Sequence, residues 1–180
     1  MDWLLIARES GIGSHHTVKD YIEVLEAFFV LKCFYAVKEL GKRGISLRKR
    51  KKIYFLDPFL YSLFLAWTKG EENPYEIAVK LVEDSFYKGK LVENVVGIHL
   101  ARYFPEIAYW RNKEEIDFIC FGKEGIQYVE VKYKERIREE DKKEIKKVKG
   151  GIIISKSKLE YDYENNIAVV PAHLFLSTLS

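Results

Sequence analysis

A chain of 180 residues, 48% hydrophobic and 32% charged, has the ordinary composition of a globular protein and enough apolar mass for one large domain or two small ones. Its 30 basic and 27 acidic side chains leave a net charge of only +3, so overall charge does not by itself call for nucleic acid. Cys33 and Cys120 stand far apart with no CxxC, which excludes a disulfide framework or a zinc site, and both read as buried apolar residues. No run reaches the roughly 18 apolar residues of a membrane span, and no signal core is present, so a cytoplasmic protein without membrane contact is expected.

Asp2 to Glu9 reads as a short helix with Trp3, Leu4, Leu5 and Ile6 as its apolar residues. Ser10-Gly11-Ile12-Gly13 breaks it, and Ser14 is suited to N-cap a second helix in which Val18, Ile22, Leu25 and Phe29 recur at helical spacing. Helix, glycine-containing turn, helix is the signature of a DNA-reading helix-turn-helix, and also of the common plain αα-hairpin. Leu31 to Val37 and Lys52 to Leu56 read as strands. Their link carries Lys42, Arg43, Arg48, Lys49, Arg50, Lys51 and Lys52 with no acid among them. Such a hairpin is the wing expected of a winged helix, where its cations would contact DNA phosphates; a solvated loop, basic only for solubility, is the alternative. A further helix, with Phe59, Leu60, Leu63, Phe64 and Trp67, ends at Lys69-Gly70. The polar break that follows places a domain boundary there, giving a winged helix-turn-helix over 1–70 and a second domain over 71–180.

Helical packing resumes from Tyr75 to Phe86, and the helix after Gly89 is apolar nearly all round from Leu91 to Leu100, as a buried helix should be. Glu93 lies on the face shared by Gly97, Leu100 and Phe104, where a carboxylate is costly unless paired or near a metal. Ile107 to Arg111 reads as a strand, and Ile116 to Phe121 with Ile126 to Val131 as a hairpin turning at Gly122-Lys123-Glu124-Gly125. That register sets Asp117 opposite Glu130, with Lys132 on the same face as Glu130. Facing carboxylates repel, and an oxygen-liganded Mg²⁺ between Asp117 and Glu130 would compensate them, with Lys132 near a phosphate under attack. Alternatively Glu115 pairs with Lys132 across the strands and the other acids face solvent. Glu135 to Lys149 then reads as a charged helix, Gly151 to Ser155 and Ile167 to Pro171 as strands, and His173 to Leu179 as a closing helix. Strands flanked by helices predict an α/β sandwich around a central sheet.

With these residues in view, the second half resembles the PD-(D/E)XK nuclease superfamily, with its restriction-endonuclease-like fold and mixed central sheet. Glu93, Asp117, Glu130 and Lys132 match its helix acid, strand acid and E-x-K in order. The whole chain resembles the C-terminal part of a family of archaeal and bacterial AAA+ ATPases, in which a winged helix precedes a nuclease-like domain of unknown function. Gly89-Lys90-Leu91-Val92-Glu93-Asn94, Trp110-Arg111, Glu115-Ile116-Asp117 and Glu130-Val131-Lys132 carry that resemblance. It implies a metal-dependent DNA nuclease using Glu93, Asp117, Glu130 and Lys132 with Mg²⁺ or Mn²⁺, or a catalytically inactive module docking on DNA or an ATPase. No G-x-x-x-x-G-K-[ST] occurs, so no ATP site is expected in these residues. An excised domain or split gene, partnered by an ATPase domain or by a second copy, is the corresponding expectation.

Overall fold

Two capped helices open the chain in the computed structural model, which describes residues 1–179. Asp2 and Ser14 accept hydrogen bonds from the Leu4 and His16 amides and so cap α1 (Trp3–Ser10) and α2 (His15–Ala27). Between them Gly11 turns at a φ of +71°, in the left-handed region that glycine enters without steric cost. Strands β1 (Leu31–Val37) and β2 (Ile45–Phe55) then pair antiparallel. β2 is longer than its sequence suggests, because Arg48 to Lys51, expected in a loop, are strand residues. Charged side chains are tolerated there because β2 is an edge strand, where cations also discourage pairing with a second chain.

After α3 (Phe59–Lys69), α4 (Pro74–Glu83) and the long α5 (Ser85–Tyr103), the chain forms β3 (Glu106–Arg111), β4 (Glu115–Phe121) and β5 (Ile126–Val131). It ends with α6 (Glu139–Lys147), β6 (Gly151–Ser155), β7 (Glu160–Asp162), β8 (Ile167–Pro171) and α7 (Ala172–Ser177). The short β7 carries no recognisable strand pattern in its sequence. The β4–β5 hairpin has the expected register, Phe118 opposite Val129 and Phe121 opposite Ile126, closed by the Gly122 amide donating to the Gly125 carbonyl at 2.9 Å.

All the strands form one mixed sheet in the order β2-β1-β3-β4-β5-β6-β8-β7. β1 joins β3 in parallel, with Tyr35 beside Ala108, so the sheet is continuous across residue 70. The boundary expected there falls between α3 and α4, which share a small core of Ala66, Ile77 and Leu81 with Leu91 of α5. Period-two alternation sorts the strand residues into two faces. Phe34, Ala36, Tyr54, Phe118, Cys120 and Val129 pack under α5 and α7, through Val96, Leu100 and Phe175. Ile116, Ile119, Phe121, Ile153 and Val169 pack on the opposite face with Ile145 of α6. Trp3, Ala7 and Val18 of α1 and α2 bury Cys33 with Tyr35 and Ile53 nearby. No helix is long and apolar enough to cross a membrane among the described residues.

α5 approaches the sheet closely at one point. A β-carbon on Gly97 would lie 2.7 Å from Cε1 and 2.8 Å from Cζ of the fully buried Phe118, so the glycine is required by close approach and not by its backbone angles. Gly97→Ala is therefore expected to lower stability by about 1–3 kcal/mol, as other overpacked cores do. Urea unfolding of both proteins measures it, and an unchanged midpoint would show that Phe118 yields freely.

Candidate functional site

Four side chains from three separate elements meet on the α5 face of the sheet. Lys52 projects from β2 beside Tyr54, Glu93 hangs from α5, and Glu115 and Asp117 come from β4. The Lys52 ammonium lies 2.9 Å from Glu93 Oε1, 2.5 Å from Glu115 Oε1 and 2.8 Å from Asp117 Oδ1. It sits near the faces of Tyr109 and Phe118, 5.5 and 5.7 Å from the ring centroids, and its side chain is only 13% exposed. Tyr54 Oη donates to Glu93 Oε1 at 2.6 Å, and Lys90 donates to Glu93 Oε2 at 2.9 Å. Arg111 reaches Glu115 Oε2 at 3.3 Å from the solvent side.

An irregularity in β4 makes this convergence possible. From Ala108 to Trp110 β3 advances two residues, while β4 advances three, from Ile119 to Ile116. The extra residue is a bulge, which re-aims a side chain. Ile116 and Ile119 both face α6, whereas Asp117 and Phe118 both turn toward α5. Without it Asp117 would point away from Glu93. α5 in turn holds β2: Asn94 accepts from the Phe55 amide at 2.9 Å and donates to the Phe55 carbonyl at 2.7 Å, replacing the neighbour an edge strand lacks.

Glu130 and Lys132 occupy different ground. Val129 and Val131 of β5 belong to the α5-side core and Tyr128 to the α6-side core, so Glu130 and Lys132 alternate onto the α6 face. Regular β4–β5 pairing ends at Phe118 and Val129. Beyond it the acids bind the opposite backbone: the Asp117 amide donates to Glu130 Oε2 at 3.1 Å, and the Val131 amide donates to Asp117 Oδ2 at 2.9 Å. Lys132 then pairs with Glu130 at 2.6 Å and not with Glu115. The repulsion expected between Asp117 and Glu130 is thus relieved by backbone donors and by two different lysines. Glu93 and Asp117 come together on Lys52, with Glu115 as the third acid, and Glu130 lies outside that cluster.

Burial governs the protonation of these groups. Burial would neutralise Lys52, but its surrounding acids, Asp117 foremost, outweigh that effect and raise its pKa. Burial would likewise raise Glu93, but Lys52 and the hydrogen bonds from Tyr54, Lys52 and Lys90 bring its pKa down to about 2. Asp117 is raised, desolvation prevailing over Lys52. Glu130 is raised to about 7, by burial first and then by the Asp117 charge, with Lys132 opposing both.

Glu93, Glu115 and Asp117 offer carboxylate oxygens that lie within 4.8 Å of one another and could hold a metal ion. All-oxygen donors suit a hard cation, and the Lys52 ammonium lies among the same oxygens. Sequence reasoning misses Lys52, Glu115, Tyr54 and Asn94 as parts of the site, and it assigns Lys52 to DNA phosphates along with its neighbours. Lys51 is 6% exposed and donates to the Leu47 carbonyl at 2.6 Å beside Trp3, so neither it nor Lys52 lies on a protruding surface. Lys49 covers Trp110 at 4.3 Å and Lys42 pairs with Glu39. Arg43 approaches Glu106 at 4.0 Å, while Arg48 and Arg50 are exposed along the sheet edge.

Residues 88–175 match the family model of a domain of unknown function, DUF4143. That stretch contains Glu93, Glu115, Asp117, Glu130 and Lys132 but not Lys52 or Tyr54. Neither a curated protein nor a solved structure matches the chain.

The raised Glu130 pKa has a consequence for stability. A folded-state pKa above the unfolded value means that the folded protein holds the extra proton, so the stabilisation it brings is lost as pH rises from 4.5 through about 7. Glu130→Gln stays neutral in both states and is expected to show a shallower decline. Urea midpoints at about pH 5 and about pH 8 measure the difference. Identical slopes in the two proteins would remove Glu130 as its source.

Proposed function

We propose that the chain is a nuclease-like module of the PD-(D/E)XK kind, directed at the DNA backbone, with a carboxylate site suited to Mg²⁺ or Mn²⁺. The observation that carries this reading is the convergence of buried Glu93 and Asp117 and half-buried Glu115 on one cation, the Lys52 ammonium. Glu93, Asp117 and Glu115 would hold the ion, whose chemistry when bound is stabilisation of charge on a phosphate. Glu130 anchors Lys132, which is about a third exposed, on the α6 side of the sheet and outside the carboxylate cluster. The acid-acid-E-x-K order supports a restriction-endonuclease-like assignment. α1, α2 and the β1–β2 hairpin follow the order of a winged helix, and exposed Arg48 and Arg50 provide its phosphate contacts. The resemblance to C-terminal parts of AAA+ ATPases favours an ATPase partner.

A second reading is favoured by Lys52. With a protein ammonium already among the carboxylates, the module can dock on DNA or an ATPase without hydrolysing anything, keeping the nuclease framework as a scaffold.

Incubating wild type and Asp117→Asn with supercoiled and branched DNA in Mn²⁺ separates the readings. Hydrolysis that falls about 100-fold or more in the variant, with DNA binding retained, is expected from the first. Equal cleavage by both proteins would exclude this site from the chemistry, and none by either would favour the second. For the surface, Arg48→Ala with Arg50→Ala is expected to weaken DNA binding and reduce the slope of log K against log salt by about 2. An unchanged slope in gel-shift titrations would take the sheet edge out of the contact.

A further inference from the structure

We infer that Lys52 is the site's resident cation, supplied by the N-terminal hairpin, and that a divalent ion and the Lys52 ammonium exclude one another. This rests on the reading of the carboxylates as a cation site. Lys52 is no incidental neighbour. It touches an oxygen of each of Glu93, Glu115 and Asp117, the three acids that could hold a metal. A divalent ion bound to the same oxygens at normal ligand distances would stand within a few ångströms of the ammonium, in a buried setting where like charges repel strongly.

The charge count points the same way. Three carboxylates meet three cations: Lys52 at the centre, with Lys90 on Glu93 and Arg111 on Glu115 at the rim. The cluster is balanced already, so a divalent ion entering beside Lys52 would bring an excess of positive charge that nothing offsets. The seat is also built around this lysine. Tyr109 and Phe118 flank the ammonium, Tyr54 orients Glu93 from two residues along β2, and Asn94 fastens the strand at Phe55. Lys52 therefore leaves its carboxylates only by changing its own rotamer or by movement of β2. The hairpin read as a DNA-contacting wing would then also decide whether the carboxylates can accept a metal.

Mn²⁺ titration by calorimetry, on wild type, Lys52→Arg, Lys52→Met and Lys52→Met with Asp117→Asn, tests this. Wild type and Lys52→Arg are expected to bind Mn²⁺ weakly or not at all. Lys52→Met is expected to bind at least about 10-fold more tightly, and the added Asp117→Asn change to abolish the gain. If Lys52→Met does not fold alone, Mn²⁺ is expected to restore its thermal transition while leaving that of wild type in place. Wild-type binding as tight as that of Lys52→Met would overturn the inference, as would Lys52→Met that gains neither Mn²⁺ affinity nor stability from Mn²⁺. DNA cleavage is not the readout. Failure of the nuclease reading and failure of this inference are therefore separate results, since an inactive protein can still show the Lys52-dependent change in Mn²⁺ binding.

Discussion

Carboxylates crowded together at a buried site repel unless positive charge stands among them, and Lys52 supplies that charge to Glu93, Glu115 and Asp117. The rest of the architecture follows from it. Lys52 comes from the edge strand of the sheet, Glu93 from the helix that covers it, and both other acids from a central strand, so the ion pairs tie the N-terminal hairpin to the middle of the chain. Each of the four would be costly to bury alone. Together they hold β2 and α5 on β4 at the point where Gly97 allows helix and sheet to touch.

The bulge in β4 divides the acidic residues between two faces. Asp117 is turned toward α5 and Lys52, while Glu130 remains on the α6 side with Lys132, the Asp117 amide donating to Glu130 and the Val131 amide to Asp117. Those bonds open the end of the β4–β5 ladder, since side-chain oxygens occupy donors that strand carbonyls would otherwise use. The result is two linked ion-pair groups. One centres on a lysine from a distant strand and the other on a lysine two residues from its acid.

The basic stretch of β2 is divided by the same alternation and by what covers each face. Lys52 meets carboxylates under α5, Lys51 lies against Trp3 of α1 on the other side, and Arg48 and Arg50 are exposed. A run of cations that looks uniform in sequence thus performs three tasks: charge compensation, packing, and exposure along an edge.

Much of the local structure could be read directly from the residues. The N-cap Ser14, the strands Leu31–Val37, Gly151–Ser155 and Ile167–Pro171, and the register of the β4–β5 hairpin all depend on signals within a few residues of where they act. So does the burial of Glu93, since a helix that is apolar nearly all round leaves an acid no solvent-facing side to occupy. The partners of that acid were decided only by tertiary structure. Lys52 is 41 positions from Glu93 and 65 from Asp117, and nothing near it in sequence distinguishes it from the cations beside it. One extra residue in β4 reverses which face Asp117 occupies, and β1 joining β3 brings the N-terminal hairpin onto the same sheet. Sequence patterns report periodicity and turn chemistry, which are local; the pairing of buried charges depends on which distant strands become neighbours, and that is settled only when the whole sheet assembles.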